Sequence, residues 1–305
     1  MRIDTITAET AARWHAARNA ATADASRLAA LLETGPLTPH LRLVASGPDG
    51  AFAAFAAEHR ENFIRFWAPS FRTGLAADAR AEAMRLFLEN LVARRDSAGF
   101  AELPLETEPG DDQPDNALWL QALRATGFAE TCVYRLHVLP RARFAAPRHA
   151  IPGLAVHSIE PPDLLNVTAL FRDAYADTRE RRDRGFAEPG AYIESLREIG
   201  EGYEPGLWLM AEFAGKPAAL AIANRSREPD FPGVSAWLLE IGCLPAFRGR
   251  GIARALLAEI LQRLATGDCE RLMSTIDEIN TPSIRLHDVF GFETPPERFY
   301  RYRRA

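Results

Sequence analysis

The sequence predicts an α/β (α+β) protein built as two similar domains, on three observations. The chain has 305 residues, which suits two domains of about 150 residues each. Residues 237–264 spell out a buried strand, a glycine-bearing turn and an amphipathic helix. A series of landmarks in the first half also recurs, in the same order, in the second.

Taken in order, residues 2–6 read as a short strand. The alanine-rich residues 10–32 read as a helix closed by Gly35-Pro36. Residues 41–45, 52–57 and 62–68 read as strands, the first two joined through the turn chemistry of Gly47-Pro48-Asp49-Gly50. Residues 78–94 are a second helix. An acidic, proline-bearing loop at 106–115 precedes a short helix at 116–126, which stops at Gly127-Phe128, and residues 132–139 return to strand. Between His137 and Gly153, three prolines and three arginines without periodicity mark a linker, placed at 140–153.

The second half repeats this order. Residues 154–159 are a strand, and Pro161-Pro162-Asp163 opens a helix that runs to Tyr175. A charged stretch at 177–190 leads to a helix at 192–199, then to strands 207–213 and 217–223 around the turn Gly215-Lys216. After the strand at 237–244 and the helix at 252–264 come a strand at 271–276 and a short helix at 280–290 ending at Gly291-Phe292. In the terminal strand, 299–303, Phe299, Tyr300 and Tyr302 are interleaved with arginines, as a half-buried strand should be. Expected domains are therefore 1–139 and 154–305.

The repeat has specific landmarks. Ala68-Pro69-Ser70-Phe71-Arg72 parallels Leu244-Pro245-Ala246-Phe247-Arg248, and Asn116 precedes Gly127 by the same interval that separates Asn280 from Gly291. After Arg72, however, Thr73-Gly74 is one residue short of the second copy's spacing and only one glycine remains. The first copy is expected to be degenerate and to have lost its ligand site.

Chemistry concentrates in Glu240-Ile241-Gly242-Cys243-Leu244-Pro245-Ala246-Phe247-Arg248-Gly249-Arg250-Gly251-Ile252-Ala253. Pro245 ends the strand because it cannot donate to a sheet ladder. At the start of the following helix the first amides lack intrahelical partners, and the macrodipole adds positive potential. Glycines let the backbone approach a ligand there, and Arg248 and Arg250 add charge, so the turn is built to hold an anion. The Lys-Ser/Thr of a P-loop and the glycine pattern of a dinucleotide fold are both missing from this stretch. An ordinary strand–helix turn with solvated arginines is the plain alternative.

The spacing Arg248-x-x-Gly251-x-Ala253 after a strand ending Cys-x-Pro resembles the pyrophosphate-binding motif of the GNAT N-acetyltransferase superfamily. Asn280-x-x-Ser283-x-x-Leu286-His287-x-x-x-Gly291-Phe292 is a second match. The resemblance covers residues 154–303 and, more weakly, the first half, so it implies a tandem protein. Each domain would be a mixed, mostly antiparallel sheet flanked by helices, and acetyl-CoA would be the co-substrate. It further implies that the strand before the turn splays from its neighbour and that the amide of Cys243 or Leu244 polarises the acetyl carbonyl. The amides of Gly249, Arg250, Gly251, Ile252 and Ala253 would bind the pyrophosphate, and Asn280 and Ser283 would line the pantetheine channel.

His287 stands where many relatives carry a tyrosine that protonates the departing thiolate. An imidazole could do this, or it could be a helix-face residue without that role. In the first copy the matching residue is Leu123, which cannot transfer a proton. Glu240 is the candidate base for the acceptor amine, with burial expected to raise its pKa, although relatives that place the base earlier on the strand have Trp237 at that point here. Glu240 could equally bind the acceptor's ammonium or pair with an arginine. Tyr175 lies where the fold places its acceptor-covering loop, and Asp277, at the end of the following strand, could add negative potential toward a cationic acceptor, with a solvated loop or capping of the next helix as its alternatives. Cys243 is expected to act through its backbone and as a small packing residue.

The formal net charge of −5 argues against a general nucleic-acid binder. No apolar run approaches the roughly 18–20 residues that span a bilayer, and the first residues lack the apolar core of a signal peptide. Cys132, Cys243 and Cys269 are widely spaced and suggest neither a disulfide framework nor a zinc site. Expected, then, is a cytoplasmic, bacterial N-acyltransferase without a metal. It would act on a small-molecule amine, with no nucleic-acid or membrane partner; a homodimer is left open. The enzyme-class alternative is a protein N-terminal or lysine acetyltransferase. The alternative from another class is a non-catalytic acyl-CoA-binding or assembly module.

Overall fold

The computed structural model of the chain describes residues 2–5, 42–47, 50–59, 64–66, 68–71, 74–97, 101, 103–110, 115–145, 150–160, 164–178, 189–227 and 231–304. The expected helix at 10–32, the tip of the 47–50 turn, Arg72-Thr73 and most of the charged stretch at 177–190 lie outside these residues. The chain divides into two units, Met1–Val133 with Glu297–Ala305, and Tyr134–Pro296. Both units are mixed α/β, with mostly antiparallel sheets flanked by helices. Among the described residues, no helix is long and apolar enough to cross a membrane.

Unit 1 begins with strands β1 (Arg2–Thr5), β2 (Arg42–Gly47), β3 (Gly50–His59), β4 (Ile64–Phe66) and β5 (Ser70–Phe71). Helix α1 (Ala77–Ser97), strand β6 (Leu105–Thr107) and helix α2 (Asn116–Ala125) follow. Strand β7 (Ala129–Pro140) starts in unit 1 and ends in unit 2. From the β2–β3 hairpin Leu43, Ala45, Ala53, Phe55 and Ala57 join one core at two-residue spacing, while Val44, also buried, is not part of that cluster. Helix α1 buries Ala83, Met84, Phe87, Leu88 and Leu91, the three- and four-residue spacing of one helical face. Phe55, Phe66, Phe87 and Trp119 pack together at this core.

Unit 2 contains β8 (Leu154–Ser158), α3 (Leu164–Ala174), α4 (Pro189–Leu196), β9 (Trp208–Phe213), β10 (Lys216–Ser226) and β11 (Val234–Cys243). Helix α5 (Ile252–Ala265), strand β12 (Cys269–Asp277) and helix α6 (Thr281–Phe290) complete it. Its sheet runs in the order β7, β12, β11, β10, β9, β8. Both faces are covered. Leu209, Ala211, Ala219 and Ala221 meet α5 through Leu256, Leu257, Ile260 and Leu261, while Trp208, Met210, Leu220 and Ile222 meet α3 and α4 through Val167, Phe171 and Ile193. Double coverage explains why β9 and β10 read as near-continuous apolar runs.

Two features of the topology depart from the sequence expectation. Residues 134–140 of β7 pair antiparallel with β12, so they close the edge of unit 2, not of unit 1. The terminal strand β13 (Arg298–Arg304) pairs with β6 and belongs to unit 1. The last strand of each sequence half is therefore exchanged, and the expected domains 1–139 and 154–305 are corrected at both ends. The expected linker is partly tied into unit 2 as well. Arg141 donates to the carbonyls of Cys269 and Ala265, and Phe144 is buried in the unit 2 core. β6 overlaps the start of the expected acidic loop, where three residues with a central glutamate give no strand signal; its pairing comes from residues far away in sequence.

One irregularity shapes the functional region. Along β10 and β11 the register runs Ile222↔Glu240 and then Ala223↔Leu238, so Leu239 has no residue opposite it. Such a bulge bends its strand. On its other edge β11 pairs in parallel with β12 only from Val234 to Trp237, opposite Cys269 to Met273. Beyond Trp237 the two strands part.

Candidate functional site

A cleft of about 630 Å³ opens where β11 and β12 separate. Its floor and walls come from residues 238–243 of β11, Ser274, Thr275 and Ile276 of β12, the start of α5, the start of α6, and the end of α3. The antiparallel ladder decides which amides face it. Leu244 N–H donates to the Ala218 carbonyl at 2.9 Å, so it points toward β10. Donors alternate along such a strand, which turns the N–H groups of Cys243 and Ile241 the other way, to the unpaired edge in the cleft. Of the two amides expected there, Leu244 is therefore ruled out by its sheet bond. Ile241, which the sequence reading did not single out, presents its N–H instead.

The turn after β11 has Gly249 at φ 76° and Gly251 at φ 79°, left-handed values that favour glycine. Gly251 is the N-cap of α5, and no side chain caps this helix end. The first intrahelical bond is Ala255 N–H to the Gly251 carbonyl. The amides of Ile252, Ala253 and Arg254 are thus free of helix partners at a helix end that opens into the cleft. Cys243 sits beneath this end. Burial pushes its thiol up, the neighbouring Ala253 amide and Arg248 pulling the other way, so it is held protonated.

The two arginines of the turn differ, for Arg248 lines the cleft and Arg250 does not. Arg248 donates to both carboxylate oxygens of Asp177 at 2.7 and 2.8 Å, to the Ala174 carbonyl at 2.8 Å and to the Cys243 carbonyl at 3.2 Å. It ties the end of α3 to the end of β11, and its charge is spent on Asp177. Arg250 lies over the Phe213 ring, 5.3 Å from its centre, and does not line the cleft. Arg254 and Arg285 do line it, from the first turn of α5 and the second turn of α6, and have no ion-pair partner among the described residues. They could have been found by asking which cations fall in the first two turns of the two motif helices.

Asn280 caps α6, its Oδ1 accepting from Ser283 N–H at 3.2 Å, and both residues line the cleft. Asp277 does not. It is 3% exposed, its Oδ1 accepts from Ile279 N–H at 3.2 Å, and its carbonyl accepts from Asn280 N–H at 2.8 Å. It shapes the turn into α6, the capping alternative raised above, and is withdrawn as an acceptor contact.

His287 is also corrected. It is 1% exposed and does not line the cleft, packing instead against Phe292 and His137 at ring-centre distances of 4.4 and 5.4 Å. Its Nδ1–H donates to the Ser283 carbonyl at 2.8 Å, which leaves Nε2 an acceptor without a hydrogen-bond partner among the described residues. Burial pushes its pKa down to about 4, so the ring is neutral at physiological pH. A group shut away from the cleft cannot hand a proton to something bound there.

Glu240 is 7% exposed and lines the cleft, and its Oε1 accepts a hydrogen bond from the Tyr192 hydroxyl on α4. Tyr175 lines the same region from the end of α3. Nothing local marked Tyr192; it reaches Glu240 only because α3 and α4 pack side by side on the sheet. Among the described residues, no group of three or more His, Cys, Asp or Glu is arranged to hold a metal ion.

Residues 168–292 match the family model described as Acetyltransferase (GNAT) family. The protein is an acyltransferase by class. It is 28% identical over 105 residues to an acetyltransferase of Photorhabdus laumondii, covering 34% of this chain and 69% of that one. It is 27% identical over 92 residues to an acetyltransferase of Pectobacterium atrosepticum, covering 30% of this chain but only 61% of the relative. Across the whole chain the fold resembles a GNAT-type N-acetyltransferase from Sphaerobacter thermophilus, with a TM-score of 0.64 and 17% identity over 99% of this chain and 95% of that one. It also resembles a tandem GNAT protein from the clavulanic acid biosynthesis pathway, with a TM-score of 0.60 and 14% identity over 99% and 98% of the two chains.

Proposed function

We propose that unit 2 transfers an acetyl group from acetyl-CoA directly to a primary amine, most simply a small-molecule amine. One observation carries this reading: the uncapped amino end of α5, the unpaired edge of β11 and the carboxylate of Glu240 all open into one cleft. The residues fit a diphosphate-bearing thioester. Gly249 and Gly251 keep the turn's backbone bare, the first amides of α5 offer donors, and Arg254 and Arg285 supply charge. Bound there, acetyl-CoA supplies an acyl group already activated as a thioester.

The chain's own residues then have distinct tasks. The amides of Ile252, Ala253 and Arg254 hold the pyrophosphate, and Asn280 and Ser283 border the channel to the reacting carbonyl. The N–H of Cys243 or Ile241 stabilises negative charge developing on the carbonyl oxygen, needing no reorganisation because the sheet already fixes it. Glu240 takes a proton from the amine as its nitrogen forms the new C–N bond. The C–S bond breaks, and the sulfur leaves with the electron pair and is protonated from solvent. Unit 1 takes no part in this reading, because its turn after Arg72 is one residue short of the second copy's spacing and keeps a single glycine.

The second reading, an acyl-CoA-binding module without turnover, is favoured by one observation: His287, the expected acid, is outside the cleft. Calorimetry with acetyl-CoA beside a thiol-release assay over small amines, peptide α-amines and lysine peptides separates the readings. Binding with release on a small amine is expected. Binding without release on any acceptor would establish the module, and release on peptides alone would assign a protein acceptor.

A further inference from the structure

Glu240 presents a physical problem that its surroundings answer. A carboxylate at 7% exposure is costly unless hydrogen-bonded, and a glutamate side chain has three torsions to hold still before it can accept a proton along a defined line. The Tyr192 hydroxyl donates to Oε1 and ties down one end of the carboxylate. Tyr192 is fixed in turn: its ring packs on Phe171 at 5.3 Å between centres, and Phe171 packs on Tyr175 at 4.6 Å. The Tyr175 ring edge rests on Gly242, two residues beyond Glu240 on the same face of β11. Contacts therefore close a loop from Glu240 through Tyr192, Phe171 and Tyr175 back to the strand that carries Glu240. The bulge at Leu239 turns that part of β11 into the cleft.

We infer that Tyr192 is a positioning residue, whose hydroxyl orients the Glu240 carboxylate toward an amine reaching it past the Tyr175 ring. This rests on the acyl-transfer reading above. The groups around Glu240 suit an amine: Tyr192 from α4, Tyr175 and Thr178 at the end of α3, the apolar Ile222 opposite on β10, and Ser274 and Ile276 across the cleft. Arg248, which also lines the cleft, is paired with Asp177.

The test is a double-mutant cycle on the full chain with Tyr192→Phe, Glu240→Gln and the double variant. Tyr192→Phe keeps the ring and its packing on Phe171 and removes only the hydroxyl. Turnover on the best amine, the KM and Kd for acetyl-CoA, and the thermal midpoint are measured for each. Tyr192→Phe is expected to lower kcat about tenfold, the size of one hydrogen bond to a charged group, with acetyl-CoA KM and Kd unchanged. Glu240→Gln is expected to lower kcat about a hundredfold, and the double variant should be no worse than Glu240→Gln alone. Losses that multiply in the double variant, or a Tyr192→Phe enzyme with wild-type kcat, would overturn the positioning role while leaving acyl transfer standing. A wild-type protein inactive on every amine would overturn both.

Discussion

Gly242 and Tyr175 meet as closely as the backbone permits: a Cβ on Gly242 would lie 2.8 Å from Tyr175 Cε2. The tyrosine cannot retreat easily, since its other side packs against Phe171 in the core beneath α3. Gly242→Ala is therefore expected to cost about 1–3 kcal/mol of stability, the usual range for overpacking a filled site. In a Tyr175→Ala background most of that cost should disappear. Thermal or denaturant unfolding of the four proteins measures it, and equal costs in both backgrounds would show that the contact is not the cause.

The amino end of α5 allows a cleaner dissection than most binding sites. Gly251→Asp would place a carboxylate at a helix end that has no side-chain cap, at a cost of about 1 kcal/mol for a non-glycine residue at φ 79°. The same carboxylate would occupy the place proposed for phosphate oxygens. Affinity for acetyl-CoA is expected to fall at least about a hundredfold, with the thermal midpoint little changed. Calorimetry showing wild-type affinity would remove the cradle from the functional reading.

The three cleft-side arginines should separate by salt dependence. Arg254 and Arg285 border the cleft without ion-pair partners among the described residues, so removing either should weaken acetyl-CoA binding about three- to tenfold and flatten its dependence on ionic strength. Arg248 is a tie between Asp177, Ala174 and Cys243, and its guanidinium holds the Asp177 carboxyl below the ordinary range. Arg248→Ala should lower the thermal midpoint and leave the salt slope alone. Titrations at several salt concentrations decide this; an Arg248→Ala slope flattened like that of Arg254→Ala would return Arg248 to the anion site.

What the sequence could show was local. Gly249, Gly251 and the apolar spacing from Ile252 placed the helix end and its turn, because backbone conformation and helical period are written residue by residue. The function of a side chain depends on what it meets, and that is set by distant elements. Arg248 and Arg254 look alike in sequence, but Asp177 takes the charge of one. His287 sits at the expected position of its motif, and packing against His137 and Phe292 turns it into the core. The exchange of β7 and β13 was invisible for the same reason, since strand pairing over such distances leaves no periodicity in either strand.

His287 yields a prediction that separates structure from catalysis. Its pKa falls from the ordinary value of 6.5 to about 4 on folding, chiefly through burial, and burial also lowers that of neighbouring His137. A histidine depressed in this way binds its proton more readily in the unfolded chain, so between these two values stability rises with pH. Its full contribution is present above about pH 6.5 and is lost as pH falls toward 4, amounting to about 2 kcal/mol by pH 5 for a shift of this size. His287→Leu, the residue type found at Leu123 in unit 1, removes both the titration and the unpartnered Nε2 acceptor. The variant should lose less stability than wild type between pH 7 and pH 5, and its turnover at pH 7.5 should stay within about threefold of wild type, since only proton transfer by a catalytic group is worth a hundredfold or more. Unfolding curves at the two pH values and a thiol-release rate suffice. A hundredfold loss of kcat with acetyl-CoA affinity intact would put His287 back in the reaction.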